Sequence, residues 1–313
     1  MFLAESIPQF ALLRAAQGLG ACAAYALARA VVRDVWRERA APALALMMFG
    51  TLLSIALAPA VGGVVGASAA GWRGALAIVL VLAAATALAT LAIYRESNAT
   101  PDPEAGRLPT LAAGYRDLLA GRSYRAHALA LACAYGALFT FVAGSSFVFI
   151  GELGRTKTEY GLLFGLIVSG LVLGTLVARG LAPRLGLERV VRIGGTLMLF
   201  GTIGGAVLHH VPGLALLGIV GPQIVVTVGG GLILPATLAG AVLPNPHRAG
   251  MAAGFMGFAQ MTGATGASLL LSVLGGENAL PMLGLQLGFA AIGFAAFRLT
   301  LRGGAGMARP VAP

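Results

Sequence analysis

Charge is what this sequence has least of. Only 10% of its 313 residues are charged, where a soluble domain carries about 25%. Its acids number eleven, and none lies in the middle of an apolar run. Lysine occurs once, as Lys157. This near exclusion of lysine by arginine, with the richness in alanine and glycine, fits a GC-rich bacterial genome. The two cysteines, Cys22 and Cys133, sit in apolar runs without metal-ligand spacing and read as small helix residues. The four histidines, His127, His209, His210 and His247, fall at helix ends and connections with no acids at metal spacing. There is no nucleophile elbow and no zinc-protease pattern. "GLGACA" (Gly18 to Ala23) fits a loose dinucleotide pattern, but no strand precedes it. These gaps argue against an enzyme and leave no metal or cofactor site to expect.

What fills the chain is apolar. It is 58% hydrophobic, with a mean hydropathy of +0.89. Its 46 glycines and 15 prolines sit within the apolar runs, as in membrane helices. A spanning helix needs roughly 20 such residues. Nine segments qualify: 9–32, 42–66, 72–94, 127–150, 160–179, 191–210, 213–237, 250–275 and 279–298. The runs are continuous and do not alternate, which favours helices over a barrel. The first run is too long for a cleaved signal peptide and lacks a basic leader. The expected fold is therefore an all-α polytopic membrane protein with nine transmembrane helices.

The cations set the expected orientation. Of 21 lysines and arginines, 17 lie on alternate connections; the other four are Arg14, Arg73, Arg155 and Lys157. Positive residues stay on the cytoplasmic side. The carboxyl terminus is then inside and the amino terminus outside. The pI of about 10.8 follows from this topology. The arginines are spread over five connections and form no single patch, so no nucleic-acid partner is implied. The domain reading is a three-helix block over 1–94, a cytoplasmic linker over 95–126, a six-helix block over 127–302 and a cytoplasmic tail over 303–313. Within the linker, "LAAGYRDLLAGRSYRAHA" alternates apolar and basic residues like a surface amphipathic segment. Asn98 begins a glycosylation triplet, a chance match on that face.

A few residues break the smooth apolar helices. On the first helix Arg14, Gln17 and Tyr25 project within about 80° of one another. A charge at membrane depth faces a bundle interior or a watery cavity, or else snorkels to the interface. Pro59 removes a helix hydrogen bond and bends the second helix. Gly62, Gly63 and Gly66 permit close approach of a neighbour, as do Gly161, Gly165, Gly170 and Gly174 in the fifth. Thr140, Gln223, Thr227, Gln260 and Gln286 are candidates to line a cavity, and each can equally serve as an interhelical hydrogen bond.

Several of these residues lie in motifs that resemble a known family. "LLRAAQGLGA" (Leu12 to Ala21) is similar to the fourth-helix motif of the major facilitator superfamily, Arg-x-x-Gln-Gly-x-Gly. "ARAVVRDVW" (Ala28 to Trp36) resembles its continuation in the bicyclomycin and chloramphenicol resistance (Bcr/CflA) branch of drug–proton antiporters. "LAPAVGGVVGASAAGWRG" (Leu57 to Gly74) resembles that branch's fifth-helix antiporter motif, with Ala58-Pro59 in place of Gly-Pro. "YRDLLAGRSYRAHAL", "TEYGLLFG" and "PHRAGMAAGFMGFAQMTGATG" resemble the entries to later helices. "RGLAPRLGLER" (Arg179 to Arg189) resembles a degraded loop motif with Pro183 where an acid would stand.

The resemblance implies a major-facilitator-type bundle in which the nine segments correspond to family helices 4–12. The first three would be missing through a truncated gene, a wrong start codon or a real short form. It implies proton-coupled export of small drugs across the bacterial inner membrane by a monomer. The proton gradient would supply the energy, and no cofactor would be needed. Arg14, Gln17, Tyr25 and Asp34 would serve transport and coupling, and Pro59, Gly62 and Gly63 the antiporter motif. The alternatives are a non-transporting membrane remnant or interaction protein, and a metabolite transporter of the same superfamily.

Overall fold

The computed structural model describes residues 5–36, 40–94, 108–275 and 278–302. Every regular element among the described residues is helical, and the chain divides into two compact units, Met1–Asp102 and Pro103–Pro313.

The first unit holds α1 (Ile7–Trp36), α2 (Ala40–Ala67) and α3 (Gly71–Ile93). Each helix packs on its neighbour in the chain. Helix α2 runs unbroken through Pro59. Helix α3 buries none of its residues. Its Leu80, Val81, Leu82 and Leu91 point outward, a surface suited to lipid rather than water.

The second unit begins with α4 (Leu108–Ala120), which lies against α5 (Arg122–Ser146) and α9 (Ala249–Leu274). A π-helical turn, Phe147–Glu152, extends α5. Then follow α6 (Lys157–Leu185), α7 (Leu187–Leu208), α8 (Ala215–Val242) and, after α9, α10 (Ala279–Arg302). Helices α5 and α8 are central: α8 packs on α5, α6 and α7, and α5 packs on α8, α9 and α10. The core forms three clusters. Tyr124, Leu131 and Met256 belong to one, Leu138, Met198 and Leu232 to a second, and Phe141, Phe149, Phe164 and Met282 to a third.

Lipid is as apolar as leucine, so tight packing has to hold such helices together. Here that packing comes from small residues at the crossings. A Cβ on Gly170 would strike Thr227 of α8, and one on Gly174 would strike the Val228 carbonyl. On α7, a Cβ on Gly194 would lie 2.7 Å from the Gly229 carbonyl oxygen. Local signals set the helix ends. Thr156 and Glu159 form a reciprocal capping box that starts α6, with Glu159 N–H donating to Thr156 Oγ1 at 3.2 Å and Thr156 N–H to Glu159 Oε2 at 2.8 Å. Gly186 joins α6 directly to α7 at φ 81° and ψ 154°, a conformation open only to glycine.

The nine long helices among the described residues fall on the nine segments expected from hydropathy. Seven of them, α3 and α5 to α10, are long and apolar enough to cross a membrane. The count expected was nine. Several side chains of α1 and α2 lie outside the described residues, and spanning by these two belongs with the proposals below. The amphipathic stretch expected within the linker divides between α4 and the first turns of α5, while residues 95–107, Asn98 among them, and 303–313 lie outside the described residues.

Candidate functional site

In the first unit, one turn of α1 carries a polar pair. Arg14 Nη1 donates to Gln17 Oε1 at 2.9 Å, and the guanidinium lies over the Phe10 ring. The three-residue spacing places both on one helix face. Both side chains are exposed, flanked by exposed Leu12, Leu13 and Leu19. The side chains of Tyr25 and Asp34 lie outside the described residues. On α2, Pro59, Gly62 and Gly63 are half-buried, and a Cβ on Gly62 would meet nothing within 4 Å.

In the second unit, four polar candidates are buried and bonded. Gln223 of α8 and Gln286 of α10 face each other: Gln223 Nε2 donates to Gln286 Oε1 at 2.6 Å, and Gln286 Nε2 returns a bond to Gln223 Oε1 at 3.0 Å. Gln286 Nε2 also donates to the Ala137 carbonyl of α5 at 3.2 Å. Three helices thus meet at one pair of amides. Thr227 Oγ1 donates to the Ile167 carbonyl of α6 at 2.7 Å. Thr140 Oγ1 returns to Gly136 of its own helix at 2.8 Å. Gln260 of α9 is half-buried and makes no side-chain hydrogen bond among the described residues. A small apolar cavity between α5, α7, α8 and α10 is lined by Ala134, Met198, Ile233, Phe289 and Phe297, and none of the five candidates touches it. In this conformation Gln223, Gln286 and Thr227 tie helices together.

Four polar contacts carried no signal in the sequence. Glu152, at the end of the π-helical turn, accepts the Ala279 N–H at 2.8 Å and so caps the start of α10. The same carboxylate lies 3.2 Å from His209 Nε2 at the end of α7. At the opposite end of the unit Arg248 pairs with Asp117 at 2.9 Å, and Tyr124 Oη donates to the Ala252 carbonyl at 2.8 Å. His127, expected at a helix end, is buried in α5. Its Nδ1 is 2.8 Å from the Ser123 carbonyl, and its ring stands edge-on to Phe297.

The motifs can be set beside known proteins. Residues 1–268 match the Major Facilitator Superfamily. The multidrug transporter MdfA of Edwardsiella ictaluri is 28% identical over 206 residues, 64% of this chain and 49% of that protein. MdfA of Escherichia coli O6:H1 is 28% identical over 220 residues, covering 69% and 53% respectively. MdfA of Yersinia pestis bv. Antiqua is 26% identical over 216 residues, covering 67% and 51%. This chain spans about half the length of these curated relatives. A family match over most of the chain, on seven apolar helices of spanning length, decides its class: the chain belongs to the Major Facilitator Superfamily, as a multi-pass membrane protein of a transporter family rather than an enzyme.

Proposed function

We propose that this chain serves proton-coupled export of small drugs across the bacterial inner membrane, within the Bcr/CflA branch. The observation that carries the reading is the Arg14–Gln17 hydrogen bond, set in the Arg-x-x-Gln-Gly-x-Gly motif. Relatives named multidrug transporters support it. A guanidinium on an apolar helix is costly unless protein or water surrounds it. Gln17 supplies one fixed acceptor and leaves the other donors of Arg14 for a second group.

An arginine guanidinium offers hydrogen-bond donors and no acceptor. Arg14 therefore does not carry the proton but holds a positive charge beside the residue or drug that does. Asp34 on the same helix is a candidate partner in coupling, and Tyr25 supplies a further polar group. Pro59 lacks a backbone donor and, with Gly62 and Gly63, offers a smooth face on α2, suited to limiting leakage between transport states. Thr140, Gln223, Thr227, Gln260 and Gln286 are the polar groups on which a drug cavity would draw when the helices shift.

The expected orientation has the amino terminus outside and the carboxyl terminus in the cytoplasm, with α1 and α2 spanning as well. In support, the ends of the second unit differ in charge. Arg122, Arg184, Arg189 and Arg298, with Glu188, lie towards one end, and Glu152 and Glu159, with Arg155 and Lys157, towards the other. The transporter is read as a monomer with no bound cofactor. The test is accumulation of a fluorescent cationic drug in a pump-deficient host that expresses the chain from its genomic locus. Lower accumulation, restored by a protonophore, is expected. Accumulation unchanged by the chain would overturn drug export, and proton-linked uptake of a metabolite would assign it to import instead.

A further inference from the structure

Arg192 of α7 and Arg298 of α10 line one open notch of about 340 Å³ on the outer face of the second unit. Its floor is apolar, formed by Ile193, Leu197 and Phe294, with Thr196 at the side. Both guanidiniums are exposed, and neither has a carboxylate partner among the described residues. Glu188, four residues before Arg192 on the same helix, makes no ion pair with it. The Thr196 hydroxyl is occupied with the Arg192 carbonyl at 2.9 Å. Arg298 rests over the Phe294 ring, 5.3 Å from its centroid.

Two like charges that share a notch repel unless an anion lies between them. The planar guanidinium fork matches the oxygens of a phosphate. Depth narrows the choice. Arg192 lies five residues inside the start of α7, and Arg298 four residues inside the end of α10. At the α-helical rise this is about 6–8 Å from the helix ends, where headgroups meet hydrocarbon. Below the notch the apolar surface continues down α7 through exposed Phe200 and Ile203. A free phosphate would gain from the arginines but not from that surface. We propose that this notch binds an anionic glycerophospholipid, with its phosphate between Arg192 and Arg298 and an acyl chain along the exposed face of α7.

The test is native mass spectrometry of the purified full chain in detergent, with phosphatidylglycerol or phosphatidylcholine added at equal concentration. Retention of phosphatidylglycerol about tenfold above phosphatidylcholine is expected, as for a charge-assisted bidentate contact. R192Q/R298Q should remove that preference, and each single variant should reduce it several-fold. A charge-matched control, R179Q/R184Q on α6, should retain it. Equal loss in the control would mean a general attraction of the basic end, and would overturn the site. An unchanged preference in both single variants would overturn it as well, whether or not the double variant folds. Inorganic phosphate that competes as well as a short-chain phosphatidylglycerol would make this a free-anion site and overturn the lipid assignment.

Discussion

The side-chain amides of Gln223 and Gln286 exchange two hydrogen bonds between α8 and α10, and among the described residues only Gln286 has a further partner, the Ala137 carbonyl. This asymmetry gives a prediction. Gln286→Leu strips Gln223 of both its bonds and leaves a buried amide unpaired. Gln223→Leu leaves Gln286 still bonded to Ala137. Removing a partner from a buried polar group costs about 1–3 kcal/mol, although interhelical bonds in membranes average only about 0.6 kcal/mol. Gln286→Leu should therefore lower thermal stability in detergent more than Gln223→Leu. The double variant should lose less than the sum of the two. Strict additivity would show that the amides do not act as a pair.

Glu152 clamps three chain segments at the other end of the unit: its own π-helical turn, the start of α10 and the end of α7. A helix N-terminus has unsatisfied N–H groups and a positive dipole end, and a carboxylate answers both. Glu152→Ala should cost about 1–2 kcal/mol, the usual loss for a cap, and Glu152→Gln less, since an acceptor oxygen remains. Hydrogen exchange at the start of α10 is the direct readout. Protection there that stays at the wild-type level in Glu152→Ala would falsify the clamp.

The helices were legible because a spanning segment must satisfy its own backbone hydrogen bonds and present apolar side chains along its whole length. That constraint is local, so α3 or α9 can be read from hydropathy to within a residue or two. The Arg14–Gln17 pair was legible for the same reason, since three residues make nearly one turn. Partners between helices were not. Gln223 and Gln286 lie 63 residues apart, and Glu152 lies 127 residues from Ala279. Nothing in a single sequence couples such positions, so the polar residues could be named as candidates but not paired. The glycines divide along the same line. Their spacing on α6 showed a smooth stripe, but only the fold shows that Gly170 and Gly174 face Thr227, Val228 and Gly231 of α8.

That division makes the glycines testable against one another. A Cβ at Gly174 runs into the α8 backbone, so Gly174→Val must push two helices apart. Overpacking of this kind costs about 1–3 kcal/mol and occasionally more. Folded yield should fall sharply. Gly62 has open space around it in the described chain, so Gly62→Ala should leave expression and stability near wild type. Drug resistance that falls in Gly62→Ala at normal protein level would locate its role in transport. A loss of folded protein instead would make the α2 motif merely structural.

Topology can be checked across a single helix. Reporter fusions after Gly154 and after Gly186 bracket α6, which is long and apolar enough to span. The arginines cluster on the Gly186 side, at Arg179, Arg184, Arg189 and Arg192. The fusion after Gly186 should report the cytoplasm and the one after Gly154 the exterior. The reverse result would invert the whole orientation, and the same side for both would remove α6 from the membrane.

Arg14 poses the sharpest choice. It sits on an exposed apolar stretch of α1, held by one bond to Gln17. As a snorkelling residue it would contribute only its reach to the interface, and lysine would replace it well. As part of a transport site it needs its planar fork, because one edge is engaged by Gln17 while the other donors must meet a second group. The two roles separate in Arg14→Lys. Expressed from the genomic locus at matched levels, Arg14→Ala and Arg14→Lys should both lower drug resistance towards that of the host without the chain. Gln17→Leu, which leaves the guanidinium charged but unanchored, should reduce it less. Full resistance in Arg14→Lys would return Arg14 to the membrane interface and leave the coupling role to another residue of α1.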